Sequence, residues 1–451
     1  MAEDDILALF DQVGFKPPPG ASTEQALLVL MQEVQRQAEE ERAGKRRARG
    51  RTAELPTPPT AAAAAAVLQS EFGAAVEPIH PCGCEIKGVD IASMGGQLPP
   101  KLAGAVEVLM AEHGFALFRG QGTPQNESNV AGTYLSAEQQ CALSECFGAG
   151  ALHSTHGVHP EAPCRDVFRL SNHPDHGFNS VGPEWHNDGS FCRDVFGHVV
   201  YHIVKAPSGA GDTEFAHLGN AFDQLGADVQ ARLRRCASVN SNSGAVHPMA
   251  HNHPVSGRPS LYLHLGMTGA ILEKLSGGGG EGGSGSLGGG GGGGGGEAAK
   301  STAGADPRFG DGSTPADLPK PVVGGPVAQA PDLRAWRPAD MEQFFCAYSE
   351  LLDSPEVRYS HSWREGDVVV VDNLAVAHKA APGAHTMDAG LRILHRTTVL
   401  SSLGTFDPPP ELGMPVELPT TGKCPFEEGA GWFEGYVGFR WGAWDSRATP
   451  H

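Results

Sequence analysis

A mainly β protein with flanking helices, of the α+β class, is predicted by three features of this sequence. Short runs rich in Val, Leu, Phe and Tyr recur between Gly, Pro and Asn clusters from about residue 75 to 275, among them GFALFRG (114–120), HVVYHIV (198–204) and SLYLHLG (260–266). The pattern returns after residue 331 in GDVVVVDNLAVAH and LRILHRTTVL. Helical periodicity is confined to a few stretches, chiefly RPADMEQFFCAYSELLDS (337–354). β-Branched and aromatic residues suit a pleated surface, and many short strands set off by turn residues suggest a sandwich or jelly roll.

Residues 1–70 read as an N-terminal helical extension and linker. A short amphipathic stretch, DDILALFDQVGF, precedes STEQALLVLMQEVQRQAEEERAGKRRARGR, which opens on a Ser-x-x-Glu-like cap and continues at helical period. Its apolar face, Leu27, Leu28, Met31 and Val34, has either its own chain or a partner to dock on. The basic run at 42–51 reads as a solvated helix end, with a nuclear signal as the other reading. ELPTPPTAAAAAA (54–66) is expected to be a Pro/Ala linker. Residues 276–330, a Gly/Ser tract running into Pro, Gly and Ala, have almost nothing to bury and are expected to form a disordered insertion. The strands on either side of it are too few to close a sheet alone, so 75–275 and 331–445 are expected to complete one domain.

The chain has 451 residues and a net charge of −19, which argues against nucleic acid or an anionic membrane as partner. An anionic ligand must therefore be caught by local positive charge. The nine cysteines are odd in number and lack paired metal spacings, Cys82-Gly83-Cys84 being too tight, so they read as reduced thiols. No apolar run approaches the ~18 residues of a membrane span, and the start, MAEDDILALF, is acidic where presequences are basic. A soluble, cytoplasmic protein is expected, and a homo-oligomer is compatible with all of this.

EWHNDGSF (184–191) places His186 two residues before Asp188, beside a strand signal. Chance alone supplies about two His-x-acid triplets in a chain of this composition, and three occur. The others, His159/Glu161 and His173/Asp175, lie in Pro-, Gly- and Asn-rich loops. Residues two apart on a strand point the same way, so His186 and Asp188 can ligate jointly while Asn187 faces off. The best third ligand is His378, at the end of DVVVVDNLAVAH; the other reading of a lone His is a hydrogen-bonded core residue. Two His and one carboxylate leave open positions on a metal, the arrangement of non-haem Fe(II) oxygenases. In LRILHRTTV, Arg392, Leu394 and Arg396 share one strand face. Two buried-looking guanidiniums require anions, which are either acidic side chains of the protein or the carboxylate or sulfonate of a ligand. His217, His251 and His253, near strand ends, read as surface or packing residues, and Trp185 as a packing wall.

Taken in order, FGAGALHSTH, EWHNDGSF, APSGAGDTEF, GAVHPMAHNHPVSGRPSLYLHLG, GDVVVVDNLAVAH and LRILHRTTV resemble the blocks of the TauD/TfdA family, the taurine/2-oxoglutarate dioxygenases. The resemblance spans about 75–275 and 331–402. It implies a double-stranded β-helix (jelly roll), with Fe(II) held by His186, Asp188 and His378 and with 2-oxoglutarate and O2 as cosubstrates. Thr213 and Arg392 match the family's 2-oxoglutarate grip, and Arg396 and His153 its grip on the substrate anion. The implied reaction hydroxylates a C–H of a small anionic substrate, a sulfonate, sulfate ester or carboxylate, and yields succinate and CO2. Taurine-specific members carry a Tyr and an Asn where this chain has His156 and Gly182, so the resemblance does not carry taurine itself. Gly182 is expected to enlarge the substrate pocket, and Val371 replaces the family's aromatic before the DN pair. The competing function is a non-catalytic binding or scaffold protein that keeps the dioxygenase fold.

Overall fold

The computed structural model describes residues 22, 57–122, 134–147, 152, 158–179, 182–207, 209, 211–240, 244–275, 333–401 and 412–413. Contacts divide the chain into Met1–Glu54 and Leu55–His451. The expected N-terminal helices, the 276–330 tract, and both His153 and His156 lie outside the described residues.

Helix α1 (Ala61–Phe72) opens the larger unit. The Thr60 hydroxyl caps it, accepting from the Ala63 N–H at 3.2 Å, and Gly73 ends it at φ 64°. The alanine run expected as a linker is therefore helical. Ala is the strongest helix former, and Ala64 and Leu68, one turn apart, are buried in the same core as residues of helix α2. Strands β1 (Ala75–Pro78) and β2 (Cys84–Lys87) come next, then α2 (Pro100–His113), β3 (Phe115–Phe118), α3 (Ala137–Glu145), β4 (Phe168–Ser171), β5 (Phe196–Lys205) and β6 (Thr213–His217). Two short helices, α4 (Leu218–Asp223) and α5 (Ala227–Leu233), lead into β7 (Cys236–Asn240), β8 (Val246–Pro248), β9 (Ala250–Asn252), β10 (Pro259–Leu261) and β11 (Thr268–Lys274). Beyond the undescribed tract lie β12 (Leu333–Ala335), α6 (Pro338–Leu352), β13 (Arg358–His361), β14 (Val368–Asp372), β15 (Val376–Ala380) and β16 (Ile393–Leu400).

The strands form a mixed α+β assembly of several sheets, antiparallel except where β2 runs parallel to β3. The largest has seven strands in the order β1-β2-β3-β14-β5-β16-β4, and β13-β6-β15 and β12-β11-β7-β8 are smaller sheets. The unbroken Val run of β14 follows from burial on both faces. Val368 and Val370 enter a core with α1 and α2, whereas Val369 and Val371 enter a second core with Phe115, Tyr201, Phe215 and Trp363. Strand β5 divides the same way, Val200 to the first core and Val199, Tyr201 and Ile203 to the second. The second core joins the large sheet to β6 and β15, and the candidate site lies beside it.

SLYLHLG departs from expectation. The strand ends at Leu261 and a 3-10 turn follows at Leu265–Met267, because the His264 ring nitrogen Nδ1 accepts the Met267 N–H at 3.1 Å and caps that turn. Strands β11 and β12 pair with Leu272 opposite Ala335 and Lys274 opposite Leu333, so the chain leaves and re-enters the fold at neighbouring positions. Among the described residues, no helix is long and apolar enough to cross a membrane, and no disulfide joins the eight described cysteines.

Candidate metal centre

His186 sits at an isolated bridge rather than on a strand, and its partner is His378 of β15. Their backbones exchange two hydrogen bonds, of 3.1 and 2.9 Å, which bring the ring centroids within 4.2 Å. His186 Nδ1 donates to the Glu184 carbonyl at 2.7 Å, which leaves its Nε2 lone pair for a ligand. That nitrogen lies 3.8 Å from Asp188 Oδ1, and His378 Nε2 lies 3.8 Å from Asp188 Oδ2. All three residues are buried, and one ligand atom from each lies within 4.8 Å of the others. Burial holds both imidazoles neutral, with His378 down to about 3. Burial alone would raise the Asp188 pKa, but Arg396 and the two imidazoles outweigh it and bring the carboxyl to about 2. A carboxylate and two neutral imidazoles around one point are a donor set that fits a divalent metal such as Fe(II).

Two asparagines brace this geometry. Asn373, fully buried in the turn after β14, accepts the Asp188 N–H at 2.9 Å and donates to the Asp188 and Phe196 carbonyls, both at 2.8 Å. Asn187, also fully buried, donates to the Asn373 and Val376 carbonyls at 2.7 and 3.0 Å and accepts the Leu263 N–H. Asn187 faces away from the cluster, as expected, although 186–188 is a bridge and turn rather than the expected strand, and its work there is to bind that segment to the strand carrying His378. Gly182 touches the site differently from expectation. Its φ is +70°, and a Cβ there would lie 2.8 Å from His186 Cε1, so its lack of a side chain makes room for the ligand ring.

A cleft holding about 500 Å³ of empty volume, its open mouth included, runs from the cluster past Tyr201 to Arg392, Leu394 and Arg396. The three residues of the β16 face thus share one wall, as alternation predicts. Arg396 Nη1 donates to Asp188 Oδ1 at 2.8 Å, with its guanidinium 4.6 Å from the Phe168 ring centroid. Arg392 is 7% exposed, and its Nη2 donates to the Thr213 hydroxyl at 3.3 Å, to which Trp363 Nε1 also donates at 3.0 Å. No hydrogen bond links Arg392 to a carboxylate among the described residues, and its Nε has no partner. Burial lowers the Arg392 pKa to about 10, so the group stays cationic at neutral pH. Of the two readings open for the arginine pair, Arg396 takes an acidic side chain of the protein, whereas Arg392 has no hydrogen bond to a carboxylate among the described residues.

The family model described as "Taurine catabolism dioxygenase TauD, TfdA family" matches residues 75–398. The chain belongs to the TauD/TfdA family. It is 24% identical over 217 residues to an α-ketoglutarate-dependent sulfonate dioxygenase of Saccharomyces cerevisiae, covering 42% of this chain and 49% of that one. It is 22% identical over 216 residues to an α-ketoglutarate-dependent sulfate ester dioxygenase of Pseudomonas putida, covering 41% and 65%. With an α-ketoglutarate-dependent 2,4-dichlorophenoxyacetate dioxygenase of Cupriavidus pinatubonensis it shares 24% identity over 176 residues, 36% and 56% of the two chains. The matches thus span about half to two thirds of these relatives' lengths. A crystal structure of a taurine dioxygenase from Burkholderia xenovorans aligns at 20% identity with a TM-score of 0.48, over 73% of this chain and 91% of that one.

Within this TauD/TfdA chain the structure brings His186, Asp188, His378, Thr213, Arg392, Arg396 and Gly182 to one cleft. Sequence reasoning passed over Tyr201, whose hydroxyl lies 2.8 Å from His378 Nε2 and 3.4 Å from Asp188 Oδ2. A lone Tyr in the apolar HVVYHIV was the available signal, since a buried phenol needs a polar partner. The bracing role of Asn187 and Asn373 was missed as well, although uncharged amides beside a Val run announce buried hydrogen bonding. His217 and His253 are packing residues: His217 caps α4 through the Asn220 N–H, and His253 Nε2 lies 2.9 Å from Asp372 Oδ2. Trp185 is a packing wall, 1% exposed, with Lys379 Nζ 4.6 Å from its ring centroid.

Proposed function

We propose that this protein is an Fe(II)- and 2-oxoglutarate-dependent dioxygenase that hydroxylates a small anionic organic molecule. The observation that carries the reading is the buried His186, Asp188 and His378 cluster, with the unpaired cation Arg392 at the far end of the same cleft. Those three side chains would hold the iron, which when bound couples O2 and 2-oxoglutarate to hydroxylation of a C–H bond, with succinate and CO2 as coproducts. Arg392 and Thr213 take the cosubstrate's far carboxylate, a guanidinium and a hydroxyl converging on one anion. Arg396, on the same wall but nearer the cluster, anchors the substrate anion together with His153, and His156 and Gly182 border that substrate. Position selects the carbon attacked, so these anchors set regiochemistry as well as affinity. Names of relatives that act on sulfonates, sulfate esters and 2,4-dichlorophenoxyacetate support an anionic substrate.

The catalytic domain in this reading is a double-stranded β-helix built from 75–275 and 331–445, interrupted by 276–330. Eight described cysteines outside any disulfide are in keeping with a reducing, cytoplasmic setting. Succinate formation against a panel of sulfonates, sulfate esters and aryloxy acids tests the proposal. Turnover should need added Fe(II) and vanish in His186→Ala; turnover that persists without iron refutes it.

A further inference from the structure

His385 lies on the loop from β15 to β16, seven residues after His378, and lines the same cleft as Arg392. The loop is firmly built. Ala384 donates to the Ala381 carbonyl, Thr386 to Gly383 and Gly390 to Met387, at 3.0, 3.1 and 3.0 Å. Asn172, just past β4, then fastens it: its amide donates to the Thr386 and Gly390 carbonyls at 2.7 and 2.9 Å, and its oxygen accepts the Arg392 N–H at 2.8 Å. One side chain therefore fixes His385 and Arg392 to a common frame.

A histidine on a surface loop ordinarily hydrogen-bonds water. Here the ring is partly buried, and Nε2 is shielded from solvent with no hydrogen-bond partner. The adjoining Arg392 also keeps an unpartnered Nε. Burial and the positive charge of Arg392 both disfavour a second cation, so His385 is held neutral. A guanidinium N–H and an imidazole nitrogen, both shielded and unanswered on one cleft wall, are costly unless a ligand pairs with them. We propose that His385 is a positioning residue for the cosubstrate, donating from Nε2 to the far carboxylate that Arg392 and Thr213 also hold. The inference rests on the 2-oxoglutarate reading of the cleft. It makes the tail site a three-residue cradle for the distal carboxylate.

Anaerobic titration of the Fe(II)-loaded protein, followed by the visible charge-transfer band of the chelate, tests this. Two probes are used: 2-oxoglutarate, and 2-oxovalerate, which has the same chain length but no tail carboxylate. His385→Ala should weaken 2-oxoglutarate about tenfold, leave 2-oxovalerate and Fe(II) affinity unchanged, and be rescued to within about threefold by His385→Gln, which restores an N–H. Unchanged 2-oxoglutarate affinity in His385→Ala overturns the inference, as does equal weakening of both probes. Arg392→Met separates the two levels. If that variant weakens 2-oxoglutarate while His385→Ala does not, only the His385 role is wrong. If Arg392→Met has no effect, or the unaltered protein gives no chelate band, the cosubstrate reading falls and takes this inference with it.

Discussion

Replacing Asn373 by Ala should loosen the metal centre without touching a metal ligand. The carboxamide makes three hydrogen bonds of 2.8–2.9 Å, two to the peptide groups of Asp188 and one to the Phe196 carbonyl, from a fully buried position. Alanine leaves one N–H and two carbonyls without those partners, and each unsatisfied buried group costs roughly 1–3 kcal/mol before relaxation. Neighbouring losses are not additive, so a net destabilisation of about 3 kcal/mol is expected in urea unfolding of the metal-free protein. The larger consequence concerns Asp188, whose backbone is then free to turn its carboxylate from the point between His186 and His378. Loss of such outer partners commonly weakens metal binding about 10- to 100-fold. Titration with Mn(II), a redox-quiet stand-in for Fe(II), measures this on protein shown to be folded by circular dichroism. Asn373→Asp should be as damaging as Ala, because a carboxylate still accepts the Asp188 N–H but cannot donate to the two carbonyls. A folded Asn373→Ala protein with metal affinity within threefold of the original refutes the bracing role.

Gly182→Ala should weaken Mn(II) binding at least tenfold, because the new methyl lies 2.8 Å from His186 Cε1 and the residue must hold φ +70°; unchanged affinity in the same titration counts against the close-approach argument. For Asp372, burial would raise the pKa, but His253 and further partners bring it to about 2, below its ordinary value of 3.8. Its depressed pKa therefore contributes about 2 kcal/mol of stability above pH 4, lost as pH falls from about 4 to 2. Urea midpoints of Asp372→Asn should lack that part of the acid dependence, and parallel pH curves for the two proteins would show the assignment to be wrong. Trimming residues 277–296 should leave metal affinity unchanged, because Lys274 and Leu333 are already paired on adjacent strands and shortening the connection changes closure entropy by only roughly 0.4 kcal/mol; loss of metal on trimming would give the tract a structural role.

How far the site could be read in advance depends on whether its determinants are local. Strand alternation was enough to set Arg392, Leu394 and Arg396 on one wall, since that periodicity is a backbone property. The order of the sequence blocks was enough to single out His186, Asp188 and His378. What fills the space between those points was not legible. Tyr201 reaches His378 from another sheet, β5 belonging to the seven-stranded one and β15 to the three-stranded one, and the approach of two sheets leaves no mark in either strand alone. The alanine run at 61–66 failed for a related reason. Its composition suits a linker or a helix equally, and the burial of Ala64 and Leu68 beside α2 decides between them.

The tension at the centre of the site lies in Arg396. In this structure its guanidinium donates to Asp188, a residue read as a metal ligand, while the cleft it lines needs a cation to hold a substrate anion. Both roles are consistent if the carboxylate's charge is shared. Asp188 would hold a divalent ion through the oxygens that Arg396 now engages, and the guanidinium, already lining the cleft, would then be free to meet an anion. An anion bound at Arg396 would in turn lower the repulsion that the cation presents to a metal. By linkage any such coupling would act equally in both directions, so substrate and metal would favour each other's binding through one side chain. Arg392 has no such alternative partner, its guanidinium being bonded to the Thr213 hydroxyl and to no protein carboxylate among the described residues. The cleft thus pairs one cation bonded to a carboxylate of the metal cluster with a second bonded to none among the described residues, and in the proposed reading the first would serve the substrate and the second the cosubstrate.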